Sequence, residues 1–191
     1  MFSKERESNK ISKQEIEDKI SRVGDYVKMD FLQSCLKKHL DFETRRFVLL
    51  KLADVYEDRG MFSEAARLIS TSAEINSTLD GKSRDYVRSM QLFVKSGKFD
   101  EADISFSKAL ACGEGLQKER VKTARKEVYQ KQCKEFLKKD KRRLALEAHE
   151  RFLPMNLSPN EKEETQKVLL DLYEKLGKMR DYFNLKKNIE I

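Results

Sequence analysis

Few residues of this chain have the type and spacing that covalent chemistry needs. Cys35 stands four residues before His39, so the two could share a helix face. A catalytic thiol needs a third group to orient its base, and a structural zinc ion needs four ligands; the surrounding sequence supplies neither. The other histidine, His149, is far away in sequence, and there is no P-loop, G-x-G-x-x-G or H-E-x-x-H pattern. The three cysteines (Cys35, Cys112, Cys133) are widely spaced and form no C-x-x-C pair, which points to a reduced compartment. The expectation is a protein with no catalytic residues, no metal site and no cofactor, and hence not an enzyme. The sequons at Asn76 and Asn156 read as chance matches in such a setting.

Charge is the stronger signal. Lys118–Arg143 holds 12 Lys/Arg against 4 Asp/Glu, a local excess of eight where the whole chain carries +7, so the remainder is near neutral. A basic surface attracts acidic peptides or nucleic-acid backbone through its long-range field. The plainer alternative is that lysines simply solvate long helices.

The elements that must position these groups are helical. With 39% hydrophobic and 38% charged residues, only 2 prolines and no tryptophan, the composition favours helices with much exposed surface. No stretch approaches the roughly 18 apolar residues of a membrane span, and the start MFSKERESNK lacks the apolar segment of a signal peptide, so the expectation is a soluble, cytoplasmic protein without a membrane partner. Residues 1–11 have no hydrophobic period and read as a flexible polar tail. Ser12 with Glu15 fits a capping box, and Ser158-Pro159-Asn160-Glu161 is the clearest helix start of the chain.

From Ser12 onward, apolar stripes at helical spacing pair around turn positions. Gly24, Gly60, Gly97, Asp140 and Gly177 are 36, 37, 43 and 37 residues apart. Four residues before each turn stands a large apolar side chain (Ile20, Tyr56, Phe93, Phe136, Tyr173). Five residues after it come Met29, Ala65, Ala102, Ala145 and Tyr182. Small residues let two helices approach closely while the large one fills the gap, and periods of this length mark stacked helical arrays. Five hairpins follow, at about 12–40, 42–76, 82–112, 116–153 and 158–190, in one domain spanning 12–191.

At LADVYEDRGMFSEA and QLFVKSGKFDEADISFSKAL the chain resembles the tetratricopeptide-repeat (TPR) family, over roughly residues 12–190 and most strongly in the second and third units. The family repeat is about 34 residues, so these units are longer; Asp140, Arg142 and Tyr182 also depart from the pattern, which points to an array of irregular helix length. The resemblance implies an all-α fold, a right-handed α-α superhelix in which the first helix of each hairpin lines a concave face. The residues then expected at a partner are Lys51, Arg84, Arg88, Gln91, Lys131, Lys134 and Lys138, with Leu50 and Val87 giving apolar contacts. Family members that clamp chaperone tails use lysines and asparagines on these helices; here only Arg84 and Arg88 suit, so that partner is not expected. The reading is a protein-binding scaffold for an acidic or extended segment. The alternative is phosphate-driven RNA or DNA binding through Lys118–Arg143. Tyr182, Phe183, Leu185 and Ile189 close the sequence with an apolar stripe that nothing later covers, from which homodimerisation or docking of a partner helix is expected.

Overall fold

The computed structural model describes residues 11–189. Among them the chain forms ten α-helices and no strand: α1 (Lys13–Ile20), α2 (Asp25–Leu36), α3 (Phe42–Asp58), α4 (Phe62–Glu74), α5 (Leu79–Ser96), α6 (Phe99–Ala111), α7 (Leu116–Lys138), α8 (Arg142–Phe152), α9 (Pro159–Lys175) and α10 (Met179–Ile189). Each helix packs on the next in sequence, and α5 packs also on α7. Residues 1–10 of the expected tail lie outside the described residues. Ile11 is half-buried against the cluster of Ile16, Leu32 and Val48.

Four of the five hairpins close with the same main-chain device. The N–H after the turn residue donates to the carbonyl of the large apolar residue four positions before it: Met61 to Tyr56, Lys98 to Phe93, Lys141 to Phe136 and Lys178 to Tyr173, all at 2.8–2.9 Å. This bond satisfies a carbonyl that the helix end would otherwise strand, and it requires the turn residue to be left-handed. Gly60, Gly97 and Gly177 adopt φ of 74, 75 and 70°, and Asp140 follows at 50°. The same residue after the turn then accepts the first bond of the second helix, from Ala65, Ala102, Ala145 or Tyr182. Turn, aromatic and small residue are thus one mechanical unit.

The first hairpin is built differently. Gly24, expected to be its turn, has φ −73° and ψ 163° and caps the start of α2, while α1 already ends at Ile20. The third hairpin begins at Leu79, not at about 82. Thr78 caps it by accepting a bond from the Gly81 N–H at 3.1 Å, so Gly81 and Ser83 are helical. Both serine caps form as expected, with capping boxes at Ser12/Glu15 and Ser158/Glu161 and Pro159 in the first helical turn.

The principal core runs from α3 to α9 and contains Ala53, Ile69, Phe93, Phe99, Ala102, Tyr129, Phe136, Ala145, Leu169 and Tyr173. Phe99 stacks on Tyr129 at 6.0 Å and meets Phe136 edge-on at 6.2 Å, joining the third and fourth hairpins. Ala65, Ala102 and Ala145 are all fully buried, which is what a close helix approach demands. A smaller cluster under α1–α3 and another around Tyr86 and Val121 complete the interior.

The turn geometry generates a graded prediction. A Cβ at Gly97 would lie 2.7 Å from Leu144 Cδ2, whereas one at Gly60 meets nothing within 4 Å. Gly60→Ala carries only the left-handed penalty and lowers stability by about 1 kcal/mol. Gly97→Ala adds the clash and lowers it further. Asp140→Gly removes the penalty and raises stability by up to about 1 kcal/mol. Urea denaturation of the three variants checks the order.

Candidate functional site

Counted from the turns, Lys51, Arg88 and Lys131 are one column on α3, α5 and α7, and Asp54, Gln91 and Lys134 are a second. Their surroundings differ. Lys51 Nζ donates to Glu17 Oε1 at 2.6 Å and lies 5.3 Å from the Phe47 ring centre. Arg88 donates to Asp54 at 2.6 Å and to Glu57 at 3.0 Å, and Lys95 adds a 3.2 Å bond to Glu57. Burial would push the Glu57 carboxyl up, but the Arg88 and Lys95 bonds outweigh it and hold it below its ordinary value. Arg84 is exposed and pairs with Asp80 one turn earlier on α5; Gln91 is half-buried. On α7 the pattern changes: Lys131, Lys134 and Lys138 are exposed, and none has a carboxylate within 4.0 Å among the described residues. Spacings of three and four residues set these lysines on one face. Of the seven residues expected at a partner, Lys51 and Arg88 therefore serve first as ties between neighbouring helices. Among these seven, the lysines without a carboxylate partner are the three on α7.

The rest of the basic stretch is divided between paired and free groups. Arg125 bonds Asp103 at 2.6 Å, and Arg151 bonds both Asp103 and Asp100. Asp103 is thereby gripped by α7 and α8 at once, at the junction of the third and fourth hairpins. This knot carries no local sequence signal, because its members are 22, 48 and 51 residues apart. Lys126 donates to Glu161 at 2.8 Å, tying α7 to α9. That bond, with those from Ser158, holds the Glu161 carboxyl at about 2.

The residues with nucleophile or ligand chemistry are not brought together. Cys35 is fully buried, while α2 stops at Leu36 and leaves His39 exposed beyond it, so the two share no helix face. Burial raises the Cys35 thiol and pushes Cys133 up to about 12, which disfavours the reactive thiolate in both. Tyr129 is likewise pushed up to about 12 by burial, and its hydroxyl lacks a partner among the described residues. Among those residues no three His, Cys, Asp or Glu side chains gather as a metal site would require. No described helix is long and apolar enough to cross a membrane. On α10 no residue is buried; Phe183 is 60% exposed and Ile189 42%, whereas Tyr182 and Leu185 are half-buried against the core.

No protein-family model matches the chain, and no curated protein matches it.

His149 provides a pH test of the core. It is buried in α8, and its Nδ1 sits 2.6 Å from the Ala145 carbonyl, which fixes Nδ1 as the protonated nitrogen of the neutral ring. Burial lowers its pKa from the ordinary 6.5, against the smaller opposing pull of the Ala145 bond. The unfolded chain therefore takes up a proton at higher pH than the folded one. The stabilisation is complete above about 6.5 and declines as pH falls below it. The contribution of Glu161, also a lowered group, is lost further down, between 4.5 and about 2. Chemical denaturation from pH 7 to roughly pH 5 should show falling stability, and His149→Gln should flatten that slope even where its absolute stability is lower.

Proposed function

We propose that this protein is a non-enzymatic, TPR-like scaffold, a right-handed superhelix of five hairpins, that binds an acidic segment of another protein in the cytoplasm. The observation that carries the reading is the set of exposed, unpaired lysines Lys131, Lys134 and Lys138 on one face of α7. Arg84, at the exposed start of the corresponding face of α5, extends the positive field, while Lys51, Arg88 and Gln91 form the border with the neighbouring helices. Half-buried Leu50, Val87 and Val168 supply the apolar contacts that give affinity beyond charge.

An acidic polypeptide is preferred over a nucleic acid on two grounds. Among the described residues the exposed aromatics are Tyr26, Phe42 and Phe183, on helices other than α7, so bases would find no stacking platform on the lysine face itself. The adjoining α9 carries five carboxylates against three lysines, with Glu163 and Asp171 paired to Lys167 and Lys175, so it adds no positive field along which a continuous phosphate backbone could track, whereas the carboxylates of a peptide are discrete.

Fluorescence polarisation with a labelled Glu- and Leu-containing peptide, and with a generic single-stranded RNA, tests the assignment. The peptide binds, its affinity falls with added salt, and Lys131→Glu/Lys134→Glu/Lys138→Glu weakens it by at least about tenfold without altering helicity. RNA binding at low salt with no peptide binding would overturn the reading.

A second contact is favoured by α10, whose Met179, Phe183 and Ile189 are 43, 60 and 42% exposed. In this reading two copies associate through that face. Light scattering at rising concentration gives a dimer mass for the wild type and a monomer mass for Phe183→Asp/Leu185→Glu; equal masses count against it.

A further inference from the structure

The long fourth unit has a structural consequence at the amino-terminal half of α7, away from its free lysines. α7 runs 23 residues, against 18 for α5, and α6 touches it far less than α4 touches α5. Between α6, the amino-terminal half of α7 and the α8–α9 connection lies a half-open cleft of about 610 Å³. Phe106 and Leu110 of α6 and Pro154 and Met155 of the connection make an apolar floor. Phe106, Leu110 and Met155 are only half-buried, so a ligand would remove further apolar surface from water.

The rim carries four cations, Lys122, Arg125, Lys126 and Arg151, against one carboxylate, Glu119, and the cations are held unequally. Arg125 lies over Phe106, 4.3 Å from the ring centre, and is fixed by Asp103 together with Arg151; Lys126 is fixed by Glu161. Lys122 is different. It pairs only with Glu119, three residues away, in a contact where both side chains are more than half exposed. Such a pair contributes little and exchanges readily. A cation that can turn inward, above an apolar floor and inside the segment with a local excess of eight positive charges, complements one negative group joined to an apolar body.

Size narrows the class. Small-ligand sites occupy roughly 300–1,000 Å³, whereas a docked helix is about 10–12 Å across with its side chains and needs a longer trough. We propose that this cleft is a binding site for a small amphipathic organic anion, its aliphatic or aromatic body on Phe106, Leu110 and Met155 and its carboxylate or similar oxyanion on Lys122. The α7 residues of the site, 119–126, precede Lys131, Lys134 and Lys138 and include none of them, so it stands or falls independently of the scaffold reading.

Isothermal titration of the full chain with dodecanoate, and with dodecyltrimethylammonium as the cation with the same alkyl chain, tests it. Dodecanoate saturates at one per chain and the cation binds at least about fivefold more weakly. Lys122→Glu weakens dodecanoate by roughly fivefold and narrows or reverses that preference. Met155→Trp narrows the cleft over its apolar floor and weakens dodecanoate by roughly tenfold or more. Because the chain has no tryptophan of its own, blue-shifted emission of the new indole verifies that the ring occupies the folded cleft. Equal binding of cation and anion, absence of saturable binding, or unchanged affinity in a blue-shifted Met155→Trp would overturn the proposal. Displacement of dodecanoate by the acidic peptide would overturn it too, in favour of a peptide anchor.

Discussion

Everything in this fold hangs on one main-chain hydrogen bond made four times over. A helix that must turn back at once leaves its last carbonyls without partners, and here the carbonyl of Tyr56, Phe93, Phe136 or Tyr173 is satisfied by the N–H of the residue just past the turn. That bond brings the second helix back against the first within a single left-handed residue. The approach is then so close that Ala65, Ala102 and Ala145 have no exposed surface at all. The large side chain on the same residue as the bonded carbonyl is directed into the core, so a single position fixes both the turn and the packing. Where the bond is absent, at Ser21–Gly24, the connection lengthens and α1 makes only slight contact with α2.

The repeating part of this scheme was legible in the sequence because it rests on local spacing. A left-handed turn wants glycine, a close contact wants alanine and a gap wants an aromatic, and each occurs at a fixed offset. Asp140 could be read as a turn by register alone, although its φ of 50° is unusual for a residue with a side chain; Arg142 bonds its carboxylate at 2.8 Å. Gly24 misled for the converse reason. Its position fitted the register, but glycine also serves as a helix N-cap, and spacing cannot separate the two roles. Thr78 was hidden similarly, because a capping threonine beside Asn76, Ser77 and Gly81 looks like any polar turn.

The charged surface was less legible because its meaning depends on pairs distant in sequence. Lysine and arginine counts located the basic segment but could not say which cations are already engaged. Arg88 and Lys51 look equivalent to Lys131 by register, yet acidic residues 31 to 34 positions earlier claim the first two and none claims the third. The knot of Asp100, Asp103, Arg125 and Arg151 is the extreme case. It locks three helices together and sets the wall of the cleft beside α7, with no motif to announce it. Pairing thus divides the basic stretch around α7 into two small areas with different characters. One is an open face of free lysines, and the other is a half-open cleft with an apolar floor.

The proposed scaffold role depends on the free lysine face of α7 as the place where an acidic partner docks. A residue-resolved NMR titration with the acidic peptide tests it most directly, since each backbone amide of an isotope-labelled sample reports separately. Docking on that face concentrates the shifts on Lys131–Lys138 and extends them to Arg84 on α5 and to the facing residues of α9. Shifts confined to α1–α4, or to α10, would contradict it.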